Sequence, residues 1–167
     1  MAIVHLALGA NLGDPVAQIR AALGRLHDRE TSVRRAARVY RSAPIGPPGQ
    51  PDYVNSAVEV ETTLEPLALL DRLKAIEAEL GRTEGARWGP RVIDLDLALW
   101  GDRVVDHPRL VVPHRELTRR RFVLAPLADL VPGAVVPGTE QTVAALLAGL
   151  GKAPDELSVI EGVDILG

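Results

Sequence analysis

Trp88-Gly89-Pro90-Arg91-Val92-Ile93-Asp94-Leu95-Asp96-Leu97 alternates from Ile93 onward, with two acids set between apolar neighbours and Leu99 continuing the apolar series. A two-residue period is that of a β-strand, so Asp94 and Asp96 share one face while Ile93, Leu95, Leu97 and Leu99 share the other. The apolar face belongs in a core. The two acids, roughly 6.5 to 7 Å apart at Cα by strand rise, repel each other unless a cation or a proton lies between them. Aspartate is depleted in strands and costly among apolar neighbours, so each acid needs a compensating partner. Such oxygen ligands suit Mg²⁺, which takes one or two carboxylates and completes its shell with water and substrate phosphates. A solvated sheet edge is the plainer reading of a bare Asp-x-Asp.

Outward from this strand the chain mixes strands and helices without a strict βαβ repeat. Ile3 to Leu8 reads as a buried strand, and Gly9 to Gly13 as a turn in which the two glycines supply backbone freedom. Asp14-Pro15 then offers an N-cap and a first helical residue for a helix with Val16, Ile19, Leu23 and Leu26 on one stripe. A strand is expected over about Val33 to Arg41. The prolines and glycines of Ser42 to Asp52 mark a loop, and Tyr53 to Thr63 alternates as another strand. Pro66 opens a helix carrying Leu70, Leu73, Ile76 and Leu80 and ending at Gly81. A second glycine-containing loop runs from Arg82 to Arg91. Gly101-Asp102 reads as a hairpin turn into Arg103 to Val105, Pro113 to Arg121 as a basic turn or short helix, and Phe122 to Leu130 as an apolar segment. Thr142 to Leu150 reads as a helix and Leu157 to Ile165 as a last strand. The class is α+β, with a mostly antiparallel sheet flanked by helices.

The 167 residues are read as one domain, 1–167, able to bury about 70% of the unfolded surface. With 47% hydrophobic and 25% charged residues the composition is that of a folded globular protein. Cysteine is absent, no basic-then-apolar leader follows Met1, and no run reaches a membrane-spanning length, so a cytoplasmic protein without a membrane partner is expected. A net charge of -3 gives no overall field for nucleic acid, and two Trp, two Tyr and one Phe are too few for a base-stacking surface. Any anion site must come from local arginines.

Those arginines occur in two groups. Arg82, Arg87 and Arg91 flank Trp88 in the second loop, and Arg115, Arg119, Arg120 and Arg121 follow His114. Guanidinium groups grip phosphate oxygens with a planar fork, so Arg82, Arg91 and Arg120 are read as phosphate contacts, and Arg119 as solvated. His114 beside them is read as a phosphate hydrogen-bond partner. Trp88 is read as a lid residue, because a large ring on a loop otherwise meets water. Tyr53 and Asn55, two apart on one strand face, offer a stacking ring and an amide suited to a heterocyclic lactam edge, or else a core-edge pair. The Gly9-Ala10-Asn11-Leu12-Gly13 turn lacks the Gly-Lys-Ser/Thr ending of a P-loop and is read as structural.

Taken in order, Leu8 to Gly13, Gly46 with Gln50 to Asn55, Gly81-Arg82, Trp88 to Asp96, and Val112-Pro113-His114 through Arg120 and Phe122 resemble the 6-hydroxymethyl-7,8-dihydropterin pyrophosphokinase family. The resemblance covers Met1 to about Leu130. It implies a ferredoxin-like fold with long mobile active-site loops, and transfer of pyrophosphate from ATP to a pterin hydroxymethyl group in folate biosynthesis, with release of AMP. It further implies two Mg²⁺ ions held by Asp94 and Asp96. Glu77, Arg82, Trp88, Arg91, His114 and Arg120 would meet the nucleotide, and the pterin would lie between Tyr53 and Phe122, with Asn55 and the backbone near Ser42, Ala43 and Ile45. A monomer binding only these small molecules is expected. Glu84, where a second basic residue is usual, and Lys74, where glutamine is common, depart from the family pattern.

On this reading Arg82 and Arg91 act catalytically with Asp94 and Asp96, by positioning and charge stabilisation, and no covalent enzyme intermediate is needed. The two loops are expected to order over ATP. Rival readings are a magnesium-dependent kinase or nucleotidyltransferase for another alcohol, and a ferredoxin-like binding or regulatory module.

Overall fold

In chain order the elements of the computed structural model are β1 (Ala2–Ala10), α1 (Pro15–Leu26), β2 (Thr31–Ala36), β3 (Tyr40–Ser42), β4 (Tyr53–Thr62), α2 (Pro66–Gly81) and β5 (Asp94–Leu99). They continue with β6 (Val105–His107), β7 (Leu110–Val112), α3 (Arg121–Leu130), β8 (Val135–Val136), β9 (Gln141–Thr142), α4 (Val143–Gly149) and β10 (Leu157–Val159). The structure describes residues 1–43, 49, 51–81, 93–151 and 157–166.

The main sheet has the order β10-β3-β4-β1-β5, with β2 also paired to β4, and every pairing is antiparallel. The path β1-α1-β2/β3-β4-α2-β5 is the ferredoxin-like arrangement expected from the family resemblance. Alternation sends Leu6, Leu8, Val54, Val58, Leu95 and Leu97 to one face, where they share a core with Ile19 and Leu23 of α1 and Leu73 and Ile76 of α2. Asp14 starts α1 as a cap, its Oδ1 accepting from Ala17 N at 3.2 Å, with Pro15 in the first turn.

The opposite face carries small residues. Ala7, Ala57 and Ala98 form a second core with Val123, Leu124 and Leu127 of α3 and Val143 of α4. Thus helices from the later part of the chain cover the face that the ferredoxin-like unit leaves bare.

Four expectations change. The strand expected over Val33 to Arg41 is broken, because Ala37 to Val39 oppose only Ser56 and Ala57 between the two pairing registers. The Ser56 hydroxyl fills the gap, 2.9 Å from the Arg38 carbonyl and 3.3 Å from that of Ala37. Gly101 does take a turn conformation, φ +56°, but β6 pairs with β7 rather than returning along β5. Finally, Phe122 to Leu130 is helix α3, and the last strand is confined to Leu157–Val159.

Candidate active site

Registers across β4, β1 and β5 place the polar residues. Gly9 lies between Asn55 and Asp94, and Ala7 lies between Ala57 and Asp96. Tyr40 extends the first row beyond Asn55, and Ser42 stands opposite Tyr53. Directly opposed residues share a face, so Tyr40, Asn55, Gly9 and Asp94 form one row on the α3 side of the sheet. Its middle has no side chain. A Cβ built on Gly9 would meet Asn55 Oδ1 at 3.3 Å, and Gly9 has no positive φ. Gly9 therefore supplies space, not the backbone freedom expected of it. Gly13, at φ +62°, does supply that freedom.

On the β4 side of this row Asn55 is buried, and its Nδ2 donates to Ser42 Oγ at 2.8 Å. Tyr53 is half-buried and Ala43 is exposed. Phe122, in the first turn of α3, packs against the cluster containing Ala7 and Ala57. Ile45 lies outside the described residues.

On the β5 side Asp94 and Asp96 are only partly buried, the Asp96 side chain being 45% exposed, so neither acid is sealed in apolar packing. The His114 amide donates to the Ala98 carbonyl at 3.0 Å, which moors the segment after β7 to β5. His114 Nδ1 accepts from Glu116 N at 3.0 Å, so the neutral ring carries its proton on Nε2. Nε2 stands 3.8 Å from Asp96 Oδ2. Glu116 also accepts from Arg120 Nε at 3.3 Å and from Arg119 Nη2 at 3.2 Å. Arg119 is the more exposed of the two, 71% against 42%. Sequence reasoning gave Glu116 no part, since a lone acid among arginines reads as charge balance.

Glu77 sits at the outer edge of β5. Its Oε2 accepts from Leu95 N at 2.8 Å, and its Oε1 pairs with Lys74 at 3.1 Å. Since Leu95 N–H points outward, the antiparallel alternation aims the Leu97 backbone to the same side. Arg82, Trp88 and Arg91 lie outside the described residues, as does the Glu84 departure.

Among the described residues no group of three or more acids or histidines could by itself hold a metal ion. Two partly exposed carboxylates on one face nevertheless match the chemistry of Mg²⁺, which draws the rest of its shell from water and phosphate. A groove of about 400 Å³ lined by Arg20, Leu23, Gly24, His27, Val33 and Ile165 lies by α1, with neither strand acid in its lining.

Two further features escaped sequence reading. Asn11 is 1% exposed, its Nδ2 donates to the Pro51 carbonyl at 3.3 Å, and its Oδ1 has no hydrogen-bond partner among the described residues. Asp129 fastens α3 to the sheet. It accepts from Tyr40 Oη at 2.7 Å, from Arg38 N at 3.1 Å and from the Arg38 guanidinium at 2.9 and 3.2 Å. Burial, with the Asp129 carboxylate second, pushes the Tyr40 phenol up to about 12. Farther along the same face, Arg35 holds the Glu59 carboxyl down at about 2, and burial lowers the neighbouring His5.

A family model described as 7,8-dihydro-6-hydroxymethylpterin-pyrophosphokinase matches residues 5–132. A Pseudomonas aeruginosa protein named 2-amino-4-hydroxy-6-hydroxymethyldihydropteridine pyrophosphokinase is 48% identical over 135 residues, 80% of this chain and 83% of its own length. A Pisum sativum mitochondrial folate synthesis bifunctional protein is 42% identical over 132 residues, 79% of this chain and 26% of its own length. The solved wild-type HPPK-DHPS of Plasmodium falciparum superposes with a TM-score of 0.73 at 14% identity, over 89% of this chain and 44% of that one. At that identity the likeness is one of fold.

Proposed function

The chain belongs to the 7,8-dihydro-6-hydroxymethylpterin-pyrophosphokinase family, and from that premise we propose how its sheet carries out the transfer. The enzyme moves the terminal pyrophosphate of ATP to the hydroxymethyl group of 6-hydroxymethyl-7,8-dihydropterin and releases AMP, a step of folate biosynthesis. The observation that carries the proposal is the row Asn55, Gly9, Asp94, with Asp96 one step along β5 and His114 Nε2 facing it. It sets a buried amide and a pair of acids on opposite sides of a bare stretch of strand.

Asn55, with Ser42 fixing its amide, reads the polar edge of the pterin, while Tyr53 and Phe122 supply its stacking rings and the backbone at Ala43 and Ile45 completes the pocket. Asp94 and Asp96 would hold two Mg²⁺ ions, which when bound would neutralise charge on the triphosphate. His114 donates from Nε2 to a phosphate oxygen, and Arg120, oriented by Glu116, caps the same chain of charges. Arg82, Arg91 and Trp88 keep the phosphate and lid roles read from sequence. Glu77 has both carboxylate oxygens engaged, so it acts by shaping the β5 edge where the outward Leu97 backbone can meet a nucleobase. The pterin hydroxyl attacks the β-phosphorus in line, and AMP departs. Catalysis comes from holding the two substrates in this geometry, with no covalent enzyme intermediate.

We further read the protein as one domain over 1–167, a cytoplasmic monomer without a nucleic-acid partner. Its net charge of -3 supports the last point. Size-exclusion chromatography and cell fractionation check the rest, and a dimer peak or a membrane-bound pool would contradict it.

Incubation with ATP, Mg²⁺ and the hydroxymethyl-dihydropterin, followed by nucleotide chromatography, tests the reaction. AMP should appear in step with pterin consumption, whereas ADP would mean a simple kinase and free pyrophosphate a nucleotidyltransferase. Asp94→Asn and Asp96→Asn should each lower kcat by about a hundredfold or more, by analogy with loss of one electrostatic stabiliser, with an unchanged far-ultraviolet spectrum. Full activity in both variants would remove the acids from the mechanism.

A further inference from the structure

The family match ends at residue 132, yet the described residues 157–166 are built into the main sheet and its core. β10 pairs with β3 through Leu157 opposite Ser42, Ser158 opposite Arg41 and Val159 opposite Tyr40, and Ile160 N donates to the Val39 carbonyl at 2.8 Å. The far end is anchored independently. Ile165 is 2% exposed in the α1-side core, and Arg20 donates from Nε and Nη2 to the Asp164 carbonyl at 3.2 and 2.8 Å. At the near end Arg121, the first residue of α3, donates to the Gly151 carbonyl.

What the tail grips is specific. β3 has three residues, follows the break at Ala37 to Val39, and carries Tyr40 and Ser42, which stand beside Asn55 and Tyr53. Without β10 that short strand would be the sheet edge, its backbone paired with β4 alone and a further tie left in the Tyr40–Asp129 side-chain hydrogen bond. Short edge strands are the part of a sheet most prone to local opening. The acids, by contrast, lie on β5 at the other end of the strand order.

We propose that the C-terminal segment 157–166 is a positioning strap for the pterin side of the site, clamping β3 so that Ser42 and the Asn55 amide it orients are already in place when substrate arrives. This rests on the pterin reading of Asn55 and Ser42. The strap acts on one substrate and not the other, because loss of order at β3 is paid back when the pterin binds, whereas the nucleotide half of the site is not on that strand.

Because Ile160 N–H points to β3, the two-residue alternation aims Ser158 N–H there as well. Ser158→Pro deletes that donor and leaves the Ile165 anchor untouched, with Ser158→Ala as control. A chain ending at Gly151 removes the whole strap. In steady-state kinetics, Ser158→Pro should raise the KM for hydroxymethyl-dihydropterin about tenfold and leave the KM for ATP and kcat within twofold. The truncated chain should behave likewise, and a synthetic peptide of residues 157–166 should restore it. An unchanged pterin KM in Ser158→Pro overturns the proposal, as does an equal rise in both KM values. Should truncation prevent folding, Ser158→Pro alone decides. Absence of AMP formation by the unaltered chain would sink the functional reading instead, which keeps the two failures apart.

Discussion

At the scale of single residues, the site is defined as much by what Gly9 lacks as by what its neighbours present. The space above Gly9 is bounded by Asn55 Oδ1, which a methyl group would approach to 3.3 Å. That contact is tighter than ordinary van der Waals packing, and the Asn55 amide is the group that must give. Gly9→Ala should therefore raise the pterin KM several-fold through a tilted Asn55, while the KM for ATP stays within twofold. The melting temperature should move by a few degrees at most, since Gly9 has no strained φ to lose and the Asn55 side chain is the group that must shift. An unaltered pterin KM would show that the amide does not read the substrate. Sequence pattern placed Gly9 in a turn because Gly-x-x-x-Gly before Asp-Pro looks like punctuation. Only the pairing register reveals it as a strand residue flanked by Asn55 and Asp94.

Among elements, periodicity located β1, α1, β4, α2 and β5 well, because each presents an apolar face to the same core, although a register shift between His5 and Leu6 turns Leu99 of β5 to the second core instead of the side expected for it. The break between β2 and β3 was not legible. It depends on a hydroxyl from a different strand, Ser56, satisfying the Ala37 and Arg38 carbonyls, and no local pattern announces that. Likewise α3 contains Pro126 and is capped by no side chain, so its apolar run looked featureless. Its docking is settled by long-range polar contacts. Asp129 takes four hydrogen bonds from Arg38 and Tyr40, and the Leu130 carbonyl accepts from Arg35 Nη2 at 3.1 Å. Asp129→Ala strands a buried phenol and loosens the end of α3, so urea unfolding should show a loss of about 1 to 3 kcal/mol. Tyr40→Phe in the Asp129→Ala background should then cost little more, because the partner is already gone. Additive losses would mean that the two residues act separately.

For the molecule as a whole, one sheet bears two cores of different character, large aliphatic side chains toward α1 and α2 and small residues toward α3 and α4. The polar row, the acids and the titrating pair His5–Glu59 all lie on the second side. Both members of that pair bind protons less readily folded than unfolded. Burial keeps His5 below its ordinary 6.5, and Arg35 keeps Glu59 near 2 against 4.5. The unfolded chain therefore takes up more protons, and stability falls as pH falls. The His5 contribution is full above 6.5 and fades as pH drops through its lower folded value. That of Glu59 is full above 4.5 and fades toward 2. Urea midpoints should decline from pH 7.5 to pH 5, and His5→Gln should flatten that upper limb while sparing the lower one. A midpoint that rises on acidification over this interval would contradict the assignment.

Reading the acids of β5 needed no coordinates, since two aspartates in an apolar alternation can be located from spacing alone. Their neighbours needed the whole topology, because Gly9, Asn55 and Asp94 are contributed by three strands, β1, β4 and β5, with helices α1 and α2 between them in sequence. A strand position that omits its side chain has one asymmetry. Substitution can only fill it, for any amino-acid change at Gly9 adds atoms against Asn55 Oδ1, the group proposed to read the heterocycle. If the heterocycle does lie against Asn55, an antagonist whose outline stays within that of the natural ligand would meet few escape routes at this position, as an obstruction that expels the drug would also expel the metabolite.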